Sequence, residues 1–263
     1  MRKVWILLTA ASMLLVTVVP ATAQEGARIH LIHGIPDTNV DVLAGGEVVF
    51  ENFAFGETQD LSALAGAMLE GLQVRLAGTE TVAIDGGDVA LPSSGNYTII
   101  AHLTADGTPT LGVFANDTSS IAAGEGRLTV RHTAAAPGVD VVANEAVAFA
   151  NLANPNEASA DLAVGTVTAS VVPAGASEPV VIGPADLPIA DGTSLIVYAV
   201  GSLDGGTLTV LTESISGLGI APTAVNTGNS PVSSNMTVIA FGAAALAAAA
   251  AALGASRLRR EQA

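Results

Sequence analysis

The chain has no cysteine among its 263 residues, which excludes disulfide bonds and thiolate catalysis. Aromatic residues make up 3% of the sequence, too few for a surface on which sugar rings could stack. Positive charge is scarce as well: residues 24–235 contain four arginines, no lysine and 23 acidic residues, a net charge of −19. Such a field repels nucleic acid and anionic lipid, so we predict no nucleic-acid partner. Because the acidic residues are dispersed, we interpret them as a solvated surface rather than as an ion site.

The two ends of the chain are apolar. Residues 1–23 begin with Arg2 and Lys3, continue with an apolar stretch and end in Ala-Thr-Ala, which predicts a signal peptide cleaved before Gln24. Residues 236–256 carry no charge, and a helix of that length spans about 31 Å against about 30 Å for a bilayer core. Arginines follow it in the tail 257–263, which predicts a transmembrane helix with a cytoplasmic tail and the rest of the chain outside. A buried helix of a soluble domain is the alternative, because more than half of the segment is alanine.

A repeat occupies the middle of the chain. The ten residues that begin His33-Gly-Ile-Pro-Asp37 and end in Val-Asp-Val return 99 positions later, beginning at His132. Both copies keep an arginine five residues before the histidine, at Arg28 and Arg127. Further on the offset falls to 97, with residues 95–99 aligned on 192–196 and residues 110–113 on 207–210. This pattern predicts one domain duplicated in tandem, with two residues deleted in one loop.

Short runs of Val, Ile, Leu and Thr, separated by Gly, Pro, Asn or Asp, predict an all-β chain of two β-sandwiches. We place the first sandwich at 24–119 and the second at 120–213, with the connection between them at 116–126. A Ser-, Thr-, Gly- and Asn-rich flexible stalk is expected at 214–235.

Eight strands are predicted in each repeat. In the first they cover 28–33, 39–43, 46–50, 72–77, 81–85, 87–91, 96–103 and 109–115. In the second they cover 127–132, 139–143, 145–150, 160–164, 166–173, 179–182, 193–200 and 207–212. Gly45-Gly46 and Gly86-Gly87 are predicted to form tight hairpins. Residues 60–69 fit either a helical turn capped by Asp60 or a strand, and symmetry with 158–164 favours the strand.

The paired motif resembles the extracellular domain of unknown function 4397 family, whose members carry a His-Gly-Ile-Pro-Asp or His-Ala-Ser-Pro-Asp opening and often occur in tandem. The resemblance covers about residues 28–213, and the second copy departs from it where Ala135-Ala136 replace Pro36-Asp37. It implies an immunoglobulin-like or transthyretin-like sandwich on an exported, mostly bacterial protein, and it implies no established activity. The fold can be transferred on this basis, but the function cannot.

Residues 224–228, Ala-Val-Asn-Thr-Gly, resemble in part a sortase sorting signal of the Leu-Pro-x-Thr-Gly type. Only Thr227 and Gly228 match that pattern. We therefore favour retention by the helix itself over covalent attachment to the cell wall.

His33, Pro36, Asp37 and Asp41 form a candidate ligand loop. A histidine beside carboxylates can ligate zinc or act as a base, so one hypothesis is an exported hydrolase or metal-dependent enzyme that uses His33, Asp37 and Asp41. In the other, the imidazole bonds its own loop and the aspartate caps a turn.

We favour the structural hypothesis because the second copy keeps the histidine and one aspartate but loses the counterpart of Asp37. The residues assigned to the repeat framework are Arg28, Arg127, His132 and Asp140. The sequence thus predicts a non-enzymatic cell-surface protein without a cofactor, acting in adhesion, envelope structure or ligand binding. Its partner would be a surface protein, a wall polymer or a small ligand.

Overall fold

The structure is a computed structural model that describes residues 26–219, and this part of the chain is built from strands. The first eight strands are β1 Arg28–His33, β2 Val40–Ala44, β3 Glu47–Phe53, β4 Thr58–Asp60, β5 Met68–Leu76, β6 Val82–Ala90, β7 Asn96–Leu103 and β8 Pro109–Ala115. The next eight are β9 Glu125–His132, β10 Val139–Ala143, β11 Ala146–Leu152, β12 Glu157–Ala163, β13 Gly165–Pro173, β14 Ile182–Ile189, β15 Ser194–Val200 and β16 Thr209–Ile215. The one helical element within 26–219 is a 3-10 turn at Ser62–Leu64. The all-β class is therefore confirmed.

The sixteen strands form two modules with the same topology. In the first module (β1–β8) the sheets have the order β4-β1-β7-β8 and β3-β2-β5-β6; in the second (β9–β16) the order is β12-β9-β15-β16 and β11-β10-β13-β14. We call the first sheet of each pair the inner sheet and the other the outer sheet. In both inner sheets the first and seventh strands of the module pair in parallel, β1 with β7 and β9 with β15.

Each module has its own apolar core between its two sheets, as alternation along the strands requires. On β1, Ile29 and Leu31 point into the first core, and on β9, Leu128 and Val130 point into the second. The side chains between them on the same strands face the other way, out of the sandwich.

Those outward faces of the two inner sheets pack against each other. Ile32 and Ile100 of the first module form one buried cluster with Ile196, Tyr198 and Val200 of the second. The sixteen strands belong to one compact unit of the chain. The two sandwiches are thus joined through a third apolar layer. The outward faces of the inner sheets, which carry both polar and apolar residues in the sequence, are therefore buried.

Strand register corrects the alignment of the two repeats. Arg28 pairs with Asn96 and Arg127 with Ser194, so β7 and β15 correspond at an offset of 98, not 97. The pairings of β8 and β16 bring the offset back to 99. A shift of one residue exchanges the two faces of a strand. At the corrected offset Ile99 corresponds to Val197, and both lie in module cores.

Three predicted elements were wrong. Strand β14 covers 182–189 instead of 179–182. It contains Pro184 and Pro188, which an edge strand such as β14 tolerates. The predicted hairpin at Gly86-Gly87 is a bulge inside the single strand β6. Symmetry also failed at 60–69, where the first module forms the 3-10 turn and the second forms β12.

The connection between the modules is packed against the body of the protein. Residues 116–124 join β8 to β9, and Ile121 within them is fully buried. The Ile121 N–H donates to the Leu218 carbonyl at 2.8 Å, and the Leu218 N–H donates to the Gly192 carbonyl at 2.8 Å. The chain therefore leaves the second module beside the connection.

Several predicted segments lie outside the described residues: the signal peptide 1–23, the sorting-like sequence 224–228, the helix 236–256 and the tail 257–263. Strand β16 ends at Ile215, two residues inside the segment predicted as a stalk. Within residues 26–219, no helix is long and apolar enough to cross a membrane.

Candidate functional site

His33 lies at the end of β1 and is completely buried. Its Nε2 is 2.9 Å from the Thr38 carbonyl oxygen, five residues along the chain. A carbonyl only accepts hydrogen bonds, so Nε2 carries the proton and Nδ1 has the lone pair. In the second module His132 repeats this contact, with Nε2 3.0 Å from the Pro137 carbonyl oxygen.

Burial lowers the pKa of His33 and His132 below the ordinary histidine value, and in each case the loop carbonyl opposes that shift only in part. The His33 Nδ1 is buried and has no hydrogen-bond partner. Protonation would place an N–H there with nothing to accept it. Both rings are thus held neutral, each closing its own loop, and His33 does not present a nitrogen to solvent as a general base must.

Asp41 and Asp140 also make the same contacts in both modules. Asp41 accepts the N–H of Asn52 at 2.7 Å and that of Gly78 at 2.9 Å. Asp140 accepts from Asn151 and Gly175 at 2.7 and 2.8 Å. These backbone donors lower the pKa of each carboxyl group.

The paired aspartate contacts differ from the turn cap that the sequence suggested. Each carboxylate lies on the second strand of its module and joins the third strand to the turn after the fifth. The carboxylate therefore holds three segments of the outer sheet together, and it does so in both copies.

The loop after the histidine is where the modules differ. In the first, Pro36 and Asp37 form a turn in which Pro36 is half-buried and Asp37 is exposed and has φ 59°. In the second, Ala135 and Ala136 are buried, and the Ala135 N–H donates to the Gly201 carbonyl at 2.8 Å. The structure brings His33 and its loop together but leaves Asp37 on the surface, so the triad His33, Asp37 and Asp41 does not converge on one open cleft.

The two framework arginines also have different surroundings. Arg28 is exposed, whereas Arg127 is buried and holds Asp161 through two hydrogen bonds of 2.8 and 3.0 Å. Arg127 Nη1 also lies 2.9 Å from an oxygen of Asp117 in the connection. Hydrogen bonds to Asp161 and the charges of the nearby carboxylates raise the pKa of Arg127, so the guanidinium stays charged. Through its contacts with Asp161 and Asp117, Arg127 links the connection to the second module.

A closed ring of polar side chains crosses the contact between the modules; we call it the polar ring. It consists of Thr98 and Asn116 from the first module and the connection, and Arg131, Tyr198 and Glu213 from the second. Arg131 donates to the Tyr198 hydroxyl at 2.7 Å and to the Asn116 Oδ1 at 2.9 Å. Tyr198 and Thr98 each donate to Glu213 Oε2, at 2.8 and 2.7 Å. The Asn116 amide closes the ring by donating to Thr98 Oγ1 at 3.0 Å.

Arg131 is the most buried charge of the polar ring, with 1% of its side chain exposed. Its guanidinium lies 4.5 Å from the centre of the Phe114 ring, and its Nε donates to Glu157 at 2.6 Å. Glu213 is paired on its other oxygen with the His30 Nδ1 at 2.6 Å. Burial raises the pKa of Tyr198, so the phenol stays protonated and remains a donor to Glu213. Every buried charge of the ring is therefore compensated.

Sequence reasoning missed the polar ring. Arg131, Tyr198 and Glu213 lie on strand faces that alternate with the core, a pattern that normally indicates solvent exposure. The one available signal was rarity, because residues 24–235 contain only four arginines. Within residues 26–219, no group of three or more His, Asp or Glu side chains is placed to hold a metal ion.

The comparisons with known proteins agree with the motif. Residues 27–142 match the model of a family described as Domain of unknown function (DUF4397). The match covers the first module and reaches β10 of the second. No curated protein matches the sequence at a significant level. Residues 27–142 are therefore similar to the DUF4397 family, as the His-Gly-Ile-Pro-Asp opening predicted.

Proposed function

We propose that this protein is a non-enzymatic cell-surface protein in which the two modules, of immunoglobulin-like or transthyretin-like type, act as one rigid body. The supporting observation is that the same polar groups of the motif make the same contacts within their module in both copies. His33 and His132 each close a loop, and Asp41 and Asp140 each hold two backbone N–H groups. Groups used in this way are not free to carry out chemistry.

Rigidity comes from the contact between the modules. The buried apolar cluster excludes water from the interface, and the polar ring fixes the register of one inner sheet on the other. A body of this kind suits adhesion, envelope architecture or the holding of a ligand.

The proposed location of the protein follows from the two apolar ends of its sequence. The leader 1–23 exports the chain, and the apolar segment 236–256 with its arginines holds it in the plasma membrane. The modules then lie outside, where an excess of acidic residues keeps them soluble.

The test is a comparison of the full chain with a chain that ends at residue 235. We expect the full chain to fractionate with the membrane, to begin at Gln24 and to be shaved from intact cells by added protease. The truncated chain is expected in the medium. Retention of Met1 with protection from protease would overturn export, and a mature chain ending at Thr227 would replace the membrane anchor with wall attachment.

A further inference from the structure

The two sheets of the first module do not fill the space between them. A cavity of about 70 Å³ lies in this sandwich and is lined entirely by apolar side chains. Phe50 and Phe53 form part of its wall, and Leu61, which precedes the 3-10 turn, and Leu64, the last residue of that turn, complete it at one edge. A cavity without polar atoms does not hold ordered water, so it is suited to an apolar hydrocarbon group.

A groove of about 240 Å³ opens at the opposite edge of the sandwich, beside β6 and β8. Leu72, Ile99 and Leu111 line both the groove and the cavity, so the groove adjoins the cavity along these three side chains. Gly86, in the bulge of β6, lies in the groove wall. A Cβ there would approach the Leu72 carbonyl oxygen to 3.2 Å and a methyl group of Leu111 to 3.5 Å, so a larger residue would narrow the groove where it adjoins the cavity.

The second module provides an internal comparison. Its corresponding space has a volume of about 30 Å³ and is lined by smaller residues at the same positions, with Val130, Val197 and Val210 for Leu31, Ile99 and Leu111. The seven-residue strand β12 occupies the region in which the first module has its 3-10 turn. The larger space is therefore a property of the first module.

The volume of the cavity and the negative charge of the protein define which ligand could fill this space. The cavity is about half the volume of the about 150 Å³ cavity that accepts a benzene ring, so a slender chain that continues into the groove fits better than a ring. The rim of the groove holds the exposed Asp85 and the hydroxyl of Thr110. In a protein of net charge −15 a carboxylate ligand would be repelled there, whereas a neutral hydroxyl can donate to Asp85.

We infer that the first module binds a neutral aliphatic alcohol, with its chain in the cavity and groove and its hydroxyl at the rim near Asp85 and Thr110. This inference goes beyond the proposed surface function. The second module serves as its matched control.

The test uses the full chain in washed membranes and a decanol that carries a photoactivatable diazirine on its chain. We expect saturable labelling of peptides from 68–90 and 109–115, with little labelling of the second module. Octanol should compete at least tenfold better than octanoate at pH 7. Labelling confined to 236–256, equal labelling of both modules, or equal competition by the two octyl compounds would overturn the inference.

Substitutions at two equally exposed valines test where the alcohol binds. Val113, in the groove, and Val147, on β11 of the second module, are each 55% exposed, so either can be changed to glutamate without disturbing a core. Val113→Glu should reduce labelling of the first module at least fivefold, and Val147→Glu should leave it within twofold. Equal effects of the two variants, or no effect of Val113→Glu, would contradict the assignment.

A series of alcohols supplies an independent measure on the same membranes. Each methylene that enters an apolar site should tighten competition about fourfold, until the groove is full and the series levels off. Competition that does not depend on chain length would mean that the chain is not buried, and the inference would fail.

Discussion

The two modules share a topology, but they differ on the faces where they meet. Strand register places Arg131, Tyr198 and Glu213 of the second module at the positions that Ile32, Ile100 and Phe114 occupy in the first. All six lie at the contact between the modules. At these three positions the first module thus supplies apolar side chains and the second supplies polar ones, which are satisfied by one another and by Thr98 and Asn116. The interior contacts of His33 and Asp41, by contrast, are the same in both. The contacts that fold a module are retained, and those that join two modules have diverged.

Loss of Arg131 is expected to break this comparison most severely. Arg131→Leu removes the buried guanidinium that donates to the Tyr198 hydroxyl and to Asn116 Oδ1, and it removes the positive charge nearest the buried Glu213, so the free energy of unfolding should fall by about 3–5 kcal/mol. Arg75→Leu, at a pair with the exposed Glu80, should cost about 0–1 kcal/mol. Denaturant titration measures both. The double variant Arg131→Leu with Glu213→Leu should recover part of the lost free energy of unfolding. A double variant that is less stable than either single variant would contradict the interpretation that the charges of the ring compensate each other.

Ile100 and Ile29 are both fully buried, one between the modules and one in the first core. Each change to alanine should cost about 2–4 kcal/mol. In calorimetry we expect one transition for the unaltered protein and for Ile29→Ala, but two for Ile100→Ala, because only that variant weakens the contact between the modules. Two transitions in the unaltered protein would show that the modules unfold independently.

Acid should destabilise both modules through the same group. Burial keeps the pKa of His33 and His132 below 6.5, the ordinary value that the unfolded chain retains. Below that pH the unfolded chain binds protons that the folded protein does not, so stability should fall from pH 6.5 downward to the lowered pKa values. Lowered pKa values of Asp41 and Asp140 add a further loss at lower pH, when their carboxylates become protonated.

The histidine contribution can be separated by substitution. His33→Gln and His132→Gln retain an N–H donor for the loop carbonyl but do not titrate. Each should make the unfolding free energy less dependent on pH between 6.5 and 5, and by a similar amount. An unchanged pH dependence in either variant would contradict burial of a neutral imidazole.

The smallest expected effect concerns the loop in which the repeats differ. Asp37 has φ 59°, a conformation that glycine adopts without strain, so Asp37→Gly should change stability by less than about 0.5 kcal/mol. Ala136 is buried and its φ is not positive, so Ala136→Gly should cost about 0.5–1 kcal/mol through the unfolded state. Thermal unfolding of the two variants gives the comparison directly. A larger loss at Asp37 would mean that its carboxylate makes a contact the fold requires.

The sequence predicted the strands that alternate cleanly, and β1, β7, β8 and β10 have the predicted bounds. It failed where a local signal has two physical meanings. Proline indicates a break in a central strand but is tolerated in an edge strand such as β14, and paired glycines form a turn or a bulge. Edge position and bulges depend on neighbouring strands, which the order of residues does not reveal.

The candidate site was only partly accessible for a related reason. The loss of the Asp37 counterpart in the second copy indicated a structural role for the motif, and the histidine contact is local, since it spans only five residues. The polar ring joins residues up to 115 positions apart. Alternation along β9 and β15 shows which side chains leave the core, but not whether water or another sheet receives them.

The close packing of Gly192 against Gly219 bears on how the molecule would respond to mechanical load. A Cβ on Gly192 would lie 2.6 Å from the Gly219 nitrogen, so the chain at Gly219 lies directly on the second module, next to Ile121 of the connection. We expect tension applied at Gly219 to reach the start of β15 and the connection together, before it peels β16 from the edge of its sheet.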